Sequence, residues 1–168
     1  MNKVKHKNNY GFSLIEVVVA TGIFGLIISI VFGIYILAAA AQRQIIAVKN
    51  VEDNIRFAME SMAREIRTGS SFGGGGNTLS FVNAKGESVV YRLNNNTAEK
   101  SSDNGINFDA LTGPEATVNY LNFYLLGAAP GDGVQPRVTT TIGITSIVGN
   151  RSANLKIQTS ITSRILQP

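Results

Sequence analysis

Residues 17–41 form 25 consecutive positions without a charged side chain, an apolar run broken only by Thr21, Gly22, Gly25, Ser29 and Gly33. As a helix rising about 1.5 Å per residue this run spans roughly 37 Å, enough for a hydrocarbon core of about 30 Å, so the pattern predicts a membrane-crossing segment. A cleaved secretory signal peptide is the competing reading, since residues 38–41 are small; such peptides, however, carry apolar regions of only about 7–15 residues. Past Ala41 the pattern turns amphipathic without a helix breaker. Val48, Val51, Ile55, Ala58, Met62 and Ile66 recur at spacings of three and four and define one apolar face, with Met59 and Met62 read as core fillers. Glu52 with Arg56 and Glu60 with Arg64 stand four apart in the favourable order, and Gly69 offers a C-terminal cap. One continuous helix over residues 13–68 is predicted, its first half in lipid or among neighbouring helices and its second half laying a stripe on a sheet.

Residues 70–77, with four consecutive glycines, read as a flexible connector. A phosphate-binding loop would need a preceding strand, spaced glycines and a Lys-Ser/Thr pair, none of which the run has. Beyond it the period drops to two. Strands are predicted at residues 78–82 and 88–93, joined by a hairpin loop at 83–87; residues 94–96 are a turn signal and 97–100 a short third strand. A longer strand is expected over 118–126, and Val138, Thr140, Ile142 and Ile144 alternate with polar or small neighbours. The clearest alternation ends the chain, where Leu155, Ile157, Thr159, Ile161, Ser163 and Ile165 share one face. Strands with one apolar face following a long helix predict an α+β fold, the helix packed on an antiparallel sheet.

Charge changes the functional picture more than the fold. The formal net charge of +4 includes Lys3, Lys5 and Lys7, all ahead of the apolar run; without the first eleven residues, 12 basic residues face 11 acidic ones. A near-neutral body gives no electrostatic footprint for phosphate backbones, so nucleic acid is disfavoured as a partner while staying an open alternative. The three lysines and the terminal amine argue for a cytoplasmic N-terminus, although Arg43, Lys49 and Arg56 follow soon after the far end. Cysteine is absent, and His6 in the basic leader is the single histidine. Thiolate or histidine metal sites and nucleophile–histidine catalysis therefore lack their key component, and neither enzymatic activity nor a cofactor is expected.

Glu16 is the informative residue. A carboxylate at the centre of an apolar helix costs about 2.5–3.5 kcal/mol on insertion scales and less near the interface, where the positive end of the helix dipole favours it. Its neighbours sharpen the reading: Gly11-Phe12-Ser13-Leu14-Ile15-Glu16 follows a short Lys-rich leader and precedes the apolar run. This combination resembles the class III signal of type IV prepilins and pseudopilins. The resemblance implies cleavage between Gly11 and Phe12 by a membrane-embedded prepilin peptidase, N-methylation of Phe12, and pairing of the Phe12 amine with Glu16 of an adjacent subunit. Removing one partner of such a buried pair leaves an uncompensated charge, so the pair enforces register even where it adds little net stability. Gly22, Gly25 and Gly33, with Ser29, would then permit close helix approach or local unwinding, against the plain alternative that membrane helices tolerate small residues.

Residues 56–67 resemble the end of the long helix in minor pilins and minor pseudopilins. Gln135-Pro136-Arg137 and the Thr/Ser-rich last strand weakly resemble minor pilin C-termini. The implied organisation is a cleaved leader at 1–11, a transmembrane and filament-core helix at 12–41, an amphipathic helix half at 42–69 and a β-rich head at 70–168. The implied role is a structural, minor pilin-like subunit of a type IV pilus-type filament. A minor pseudopilin of a type II secretion system, or a filament-tip subunit contacting DNA or a surface, is the alternative; a membrane-anchored protein that never polymerises is a third. The implied partners are other pilin or pseudopilin subunits, prepilin peptidase, the inner-membrane assembly platform and, before assembly, membrane lipid. The implied location is a single-pass inner-membrane protein with a cytoplasmic N-terminus and a periplasmic or extracellular head, later part of a filament. No metal is expected; Asp103, Asn107 and Asp109 around Gly105 form a weak candidate calcium loop that lacks a glutamate at the twelfth position, and Asp132 between two glycines reads as a turn.

Overall fold

The computed structural model describes residues 11–129 and 133–164. Lys3, Lys5, His6 and Lys7 of the leader, the turn at Asp132, and Ile165 of the predicted last strand lie outside the described residues. The chain forms two compact units, Met1–Ala41 and Gln42–Pro168. Helix α1 (Leu14–Arg67) contributes residues to both. Eight strands follow: β1 (Ser70–Gly75), β2 (Thr78–Val82), β3 (Ser88–Asn94), β4 (Thr97–Ser101), β5 (Asp109–Ala110), β6 (Thr117–Leu126), β7 (Arg137–Val148) and β8 (Arg151–Thr162). The fold class is α+β, as the alternation predicts, with one long helix and antiparallel sheets.

In the second unit α1 buries Ala47, Val51, Asn54, Ile55, Ala58, Met59, Met62 and Ile66. Val48, placed on the apolar face by its spacing, is exposed, and Ala47 takes that level of the stripe. Neither Glu52–Arg56 nor Glu60–Arg64 closes; among the described residues the ion pairs are Arg92–Glu99 (2.7 Å) and Lys100–Glu65 (2.6 Å). Exposed pairs four apart gain only a few tenths of a kcal/mol, so water competes on equal terms. The helix ends in a tightened turn, with the amides of Thr68 and Gly69 donating to the carbonyls of Glu65 and Ile66 at 3.2 Å each. Gly69 does not adopt positive φ and is not a left-handed cap. It is buried, and a Cβ there would stand 2.6 Å from Phe81 Cδ2, so packing rather than backbone freedom demands the glycine.

Where one sheet was expected, two form: a five-stranded sheet in the order β1-β2-β3-β4-β5 and a three-stranded sheet β6-β7-β8. Residues 70–77 are not a connector. They form edge strand β1 against β2 and then bridge to the second sheet, Gly76 and Phe123 exchanging hydrogen bonds at 3.0 and 2.6 Å. The glycines allow this because the backbone at Gly74, Gly75 and Gly76 turns through positive φ, and a Cβ on Gly74 would lie 2.7 Å from the Thr78 carbonyl oxygen. Phe72 of β1 stacks on Phe81, and Phe81 on Tyr91, at 5.4 and 5.9 Å between centroids. Asn95 and Asn96, both at positive φ, make the two-residue turn joining β3 to β4. One continuous core joins the helix stripe to the inner faces of both sheets.

Candidate functional site

Gly11, Phe12 and Ser13 precede the helix and are exposed, Phe12 at 83%. Ser13 is the N-cap: its Oγ accepts the Glu16 backbone N–H at 3.2 Å, and its carbonyl accepts the Val17 amide at 3.3 Å. Ser13-Leu14-Ile15-Glu16 is thus the sequence pattern of a capping box, and Glu16 occupies the first turn, where four amides lack intrahelical partners and a carboxylate is electrostatically favoured. The local chemistry therefore does two things at once. It starts α1 two residues past the Gly11–Phe12 bond, and it tolerates an acid at the head of an apolar segment. Nothing within 4 Å would meet a Cβ on Gly11, so the fold itself does not require glycine there. Ser-x-x-Glu is readable in the sequence as a helix-start signal, carried by the same glutamate that the resemblance assigns to assembly.

The apolar run after Glu16 leaves its large side chains uncovered throughout, from Val17 to Leu37. A contiguous apolar surface of this length is not maintained in water, so the segment requires lipid or other helices around it. Its two aliphatic hydroxyls are internally satisfied, Thr21 Oγ1 donating to the Val17 carbonyl and Ser29 Oγ to the Gly25 carbonyl at 2.9 Å, which suits a medium poor in other acceptors. Gly22, Gly25 and Gly33 have open space where a Cβ would stand.

The body is fastened to residues 42–67 of α1 by polar side chains that the apolar pattern does not disclose. Asn54, buried inside the stripe, donates from Nδ2 to Glu115 Oε1 (2.7 Å) and to the Asn50 carbonyl (2.8 Å), while its Oδ1 accepts the Gly113 amide (2.7 Å). The Asn54 hydrogen bond holds the Glu115 carboxyl below its ordinary range. Glu65 accepts the Tyr91 hydroxyl at 2.7 Å and Lys100 Nζ at 2.6 Å, tying the helix to β3 and β4. Burial, then the Glu65 hydrogen bond and charge, push the Tyr91 phenol far above its usual range. A polar residue interrupting a stripe, as Asn54 does, was the available signal for the first of these networks.

The candidate calcium loop folds on itself. Asp103 accepts the Ser101 hydroxyl (2.6 Å), the Ile106 and Asn107 amides (3.1 and 2.9 Å) and Asn107 Nδ2 (2.6 Å). These donors, Ser101 first, hold its carboxyl at about 2. Asn107 turns its amide nitrogen to Asp103, and Asp109 pairs in β5 with Lys100 of β4. Among the described residues no group of three His, Cys, Asp or Glu side chains is placed to hold a metal.

No curated protein matches the chain. No solved structure matches it either. Residues 6–32 match the family model described as the prokaryotic N-terminal methylation motif. That match spans the Gly11–Phe12 bond, the Ser13 cap, Glu16 and the first part of the apolar run, and it marks the N-terminus of this chain as a type IV pilin-like class III signal.

Proposed function

We propose that the chain is a structural subunit of a type IV pilus-type filament, cut between Gly11 and Phe12, methylated on Phe12 and assembled through α1. The observation carrying this reading is the methylation motif over residues 6–32 laid on a serine-capped helix whose apolar surface has nothing to cover it. In the membrane, lipid covers that surface; in a filament, the helices of other pilin or pseudopilin subunits do. Glu16 of one subunit then receives the cationic Phe12 amine of the next, a pairing that selects register because a mis-set neighbour strands a charge in apolar surroundings. The resemblance of residues 56–67 to minor pilins and minor pseudopilins favours a minor subunit, and the weaker likeness of Gln135-Pro136-Arg137 and the last strand to minor pilin C-termini inclines the reading to a minor pilin. The chain acts without a catalytic residue or cofactor, passing from the inner membrane, head outward, to the filament by way of prepilin peptidase and the assembly platform.

Substitution of Glu16 by Ala tests the assembly role. The variant is expected to be processed and to remain in the membrane fraction, yet to be missing from sheared filaments. Incorporation equal to that of the unaltered chain would overturn the assembly role of Glu16, whereas absence of the unaltered chain itself from the filaments would make a membrane-anchored protein that never polymerises the better reading.

A further inference from the structure

The β7–β8 turn lies beside the helix only a few residues past the apolar run. Gln44 Nε2 donates to the Ser152 carbonyl at 3.2 Å, and a Cβ on Gly149 would stand 3.4 Å from both Cδ and Nη1 of Arg43, so the Arg43 side chain lies along the turn. Ser152 is the cross-strand partner of Ile147, and Arg151 of Val148. Those pairings put Ile147 and Arg151 level with Arg43 and Gln44. At this end of the unit three large apolar side chains face outward: Ile45 is 66% exposed, Ile46 48% and Ile147 70%.

The charge here is one-sided. Nearest the apolar run, residues 42–48 and 147–152 contain Arg43 and Arg151 and no aspartate or glutamate, while the exposed Glu52 and Asp53 stand more than two turns, about 13 Å, further along α1. Glu115, whose carbonyl accepts the Ser146 hydroxyl, turns its carboxylate to Asn54. Gln44 stands three residues beyond Ala41, or roughly 4.5 Å of helix rise, whereas the headgroup layer of a bilayer leaflet is about 5–7 Å deep. Exposed isoleucines among arginines at that depth match an interface that takes up apolar side chains and attracts cations.

We propose that this end of the head, formed by the β7–β8 turn with Arg43, Arg151, Ile45, Ile46 and Ile147, docks on anionic lipid headgroups of the bilayer that holds the helix. The inference rests on the reading that residues 17–41 span a membrane. Docking holds the head against the outer leaflet until the subunit is withdrawn into a filament. It also supplies a ligand for basic residues that sit on the side of the apolar run where orientation alone would disfavour them.

The chain has no cysteine, so an environment-sensitive fluorophore can be placed uniquely at Asn150→Cys. The full chain is reconstituted in nanodiscs of phosphatidylcholine, or of phosphatidylcholine with phosphatidylglycerol, containing headgroup spin-labelled lipid. Stronger quenching of the label in the anionic discs is expected, weakened by salt. Replacing Arg43 and Arg151 by Gln should lower the docking constant roughly thirtyfold, about a factor of five for each arginine, while the chain stays in the discs. A chain held in the discs whose label is equally unquenched in both lipids overturns the docking and leaves the anchor standing. Failure of the chain to enter either disc overturns the anchor and the docking together. Quenching or shielding that follows the number of chains per disc rather than lipid charge assigns the surface to a second copy of this chain instead.

Discussion

Tyr91 is the most informative place to test how the helix is held to the sheets. Its side chain is fully buried, and its hydroxyl donates to Glu65 at 2.7 Å, beside the 2.6 Å contact between Glu65 and Lys100. Replacing Tyr91 by Phe deletes one oxygen and leaves the stacked ring of Phe81 its partner. A hydrogen bond to a charged acceptor contributes about 1.5–3 kcal/mol, so a loss of roughly 2 kcal/mol is expected at pH 8. The pH dependence identifies the cause. Burial and Glu65 raise the folded phenol above the ordinary value of 10.0, so the contribution is complete below pH 10 and declines above it, where the unfolded tyrosine ionises and the folded one does not. The deficit of the Phe variant should therefore narrow by about 1.4 kcal/mol for each pH unit above 10. Urea titrations of the full chain in detergent micelles, followed by near-ultraviolet circular dichroism, measure both quantities; the other tyrosines are common to the two proteins and cancel. A variant as stable as the unaltered chain at pH 8, or a deficit that stays constant up to pH 11, would refute the placement of this hydroxyl on Glu65.

Two further perturbations probe the sheets. Thr140 on β7 is fully buried with an Oγ1 that finds no partner among the described residues; Thr140→Val keeps the shape, removes the stranded hydroxyl and should stabilise the protein by about 1 kcal/mol in the same titration. The Asp103 carboxyl, held at about 2 against an ordinary 3.8, stabilises its loop at neutral pH, and that contribution begins to fail below about pH 4 and is gone below about 2. The Ile106 and Asn107 amides should therefore exchange with solvent faster over that acid window, and Asp103→Asn should show the faster exchange already at pH 7.

Much of this fold was legible because its periods are local. Val51, Ile55, Ala58, Met62 and Ile66 set the helix face, and the alternation from Leu155 to Ile161 set β8, each from neighbours a few residues apart. What escaped depended on partners distant in the chain. The glycines of residues 70–77 read as slack, yet they form a strand because Gly76 meets Phe123, forty-seven positions on. The division into two sheets follows from β4 pairing with β5 and β6 with β7, and no period records which strand a given strand will choose. Gly69 resembled a cap and serves instead as room for the Phe81 ring. The start of α1 is the opposite case: Gly11, Phe12, Ser13 and Glu16 lie within six residues, so the motif is local, and the structure adds the hydrogen bond from the Glu16 amide to the Ser13 hydroxyl.

Mass spectrometry of the mature N-terminus, on chain recovered from membranes or sheared filaments of a cell that possesses a prepilin peptidase, bears most directly on the assembly account. Phe12 as the first residue, carrying a methyl group on its amine, is the predicted result. An intact Met1 in functional material, or a new N-terminus near Ala41, would contradict it.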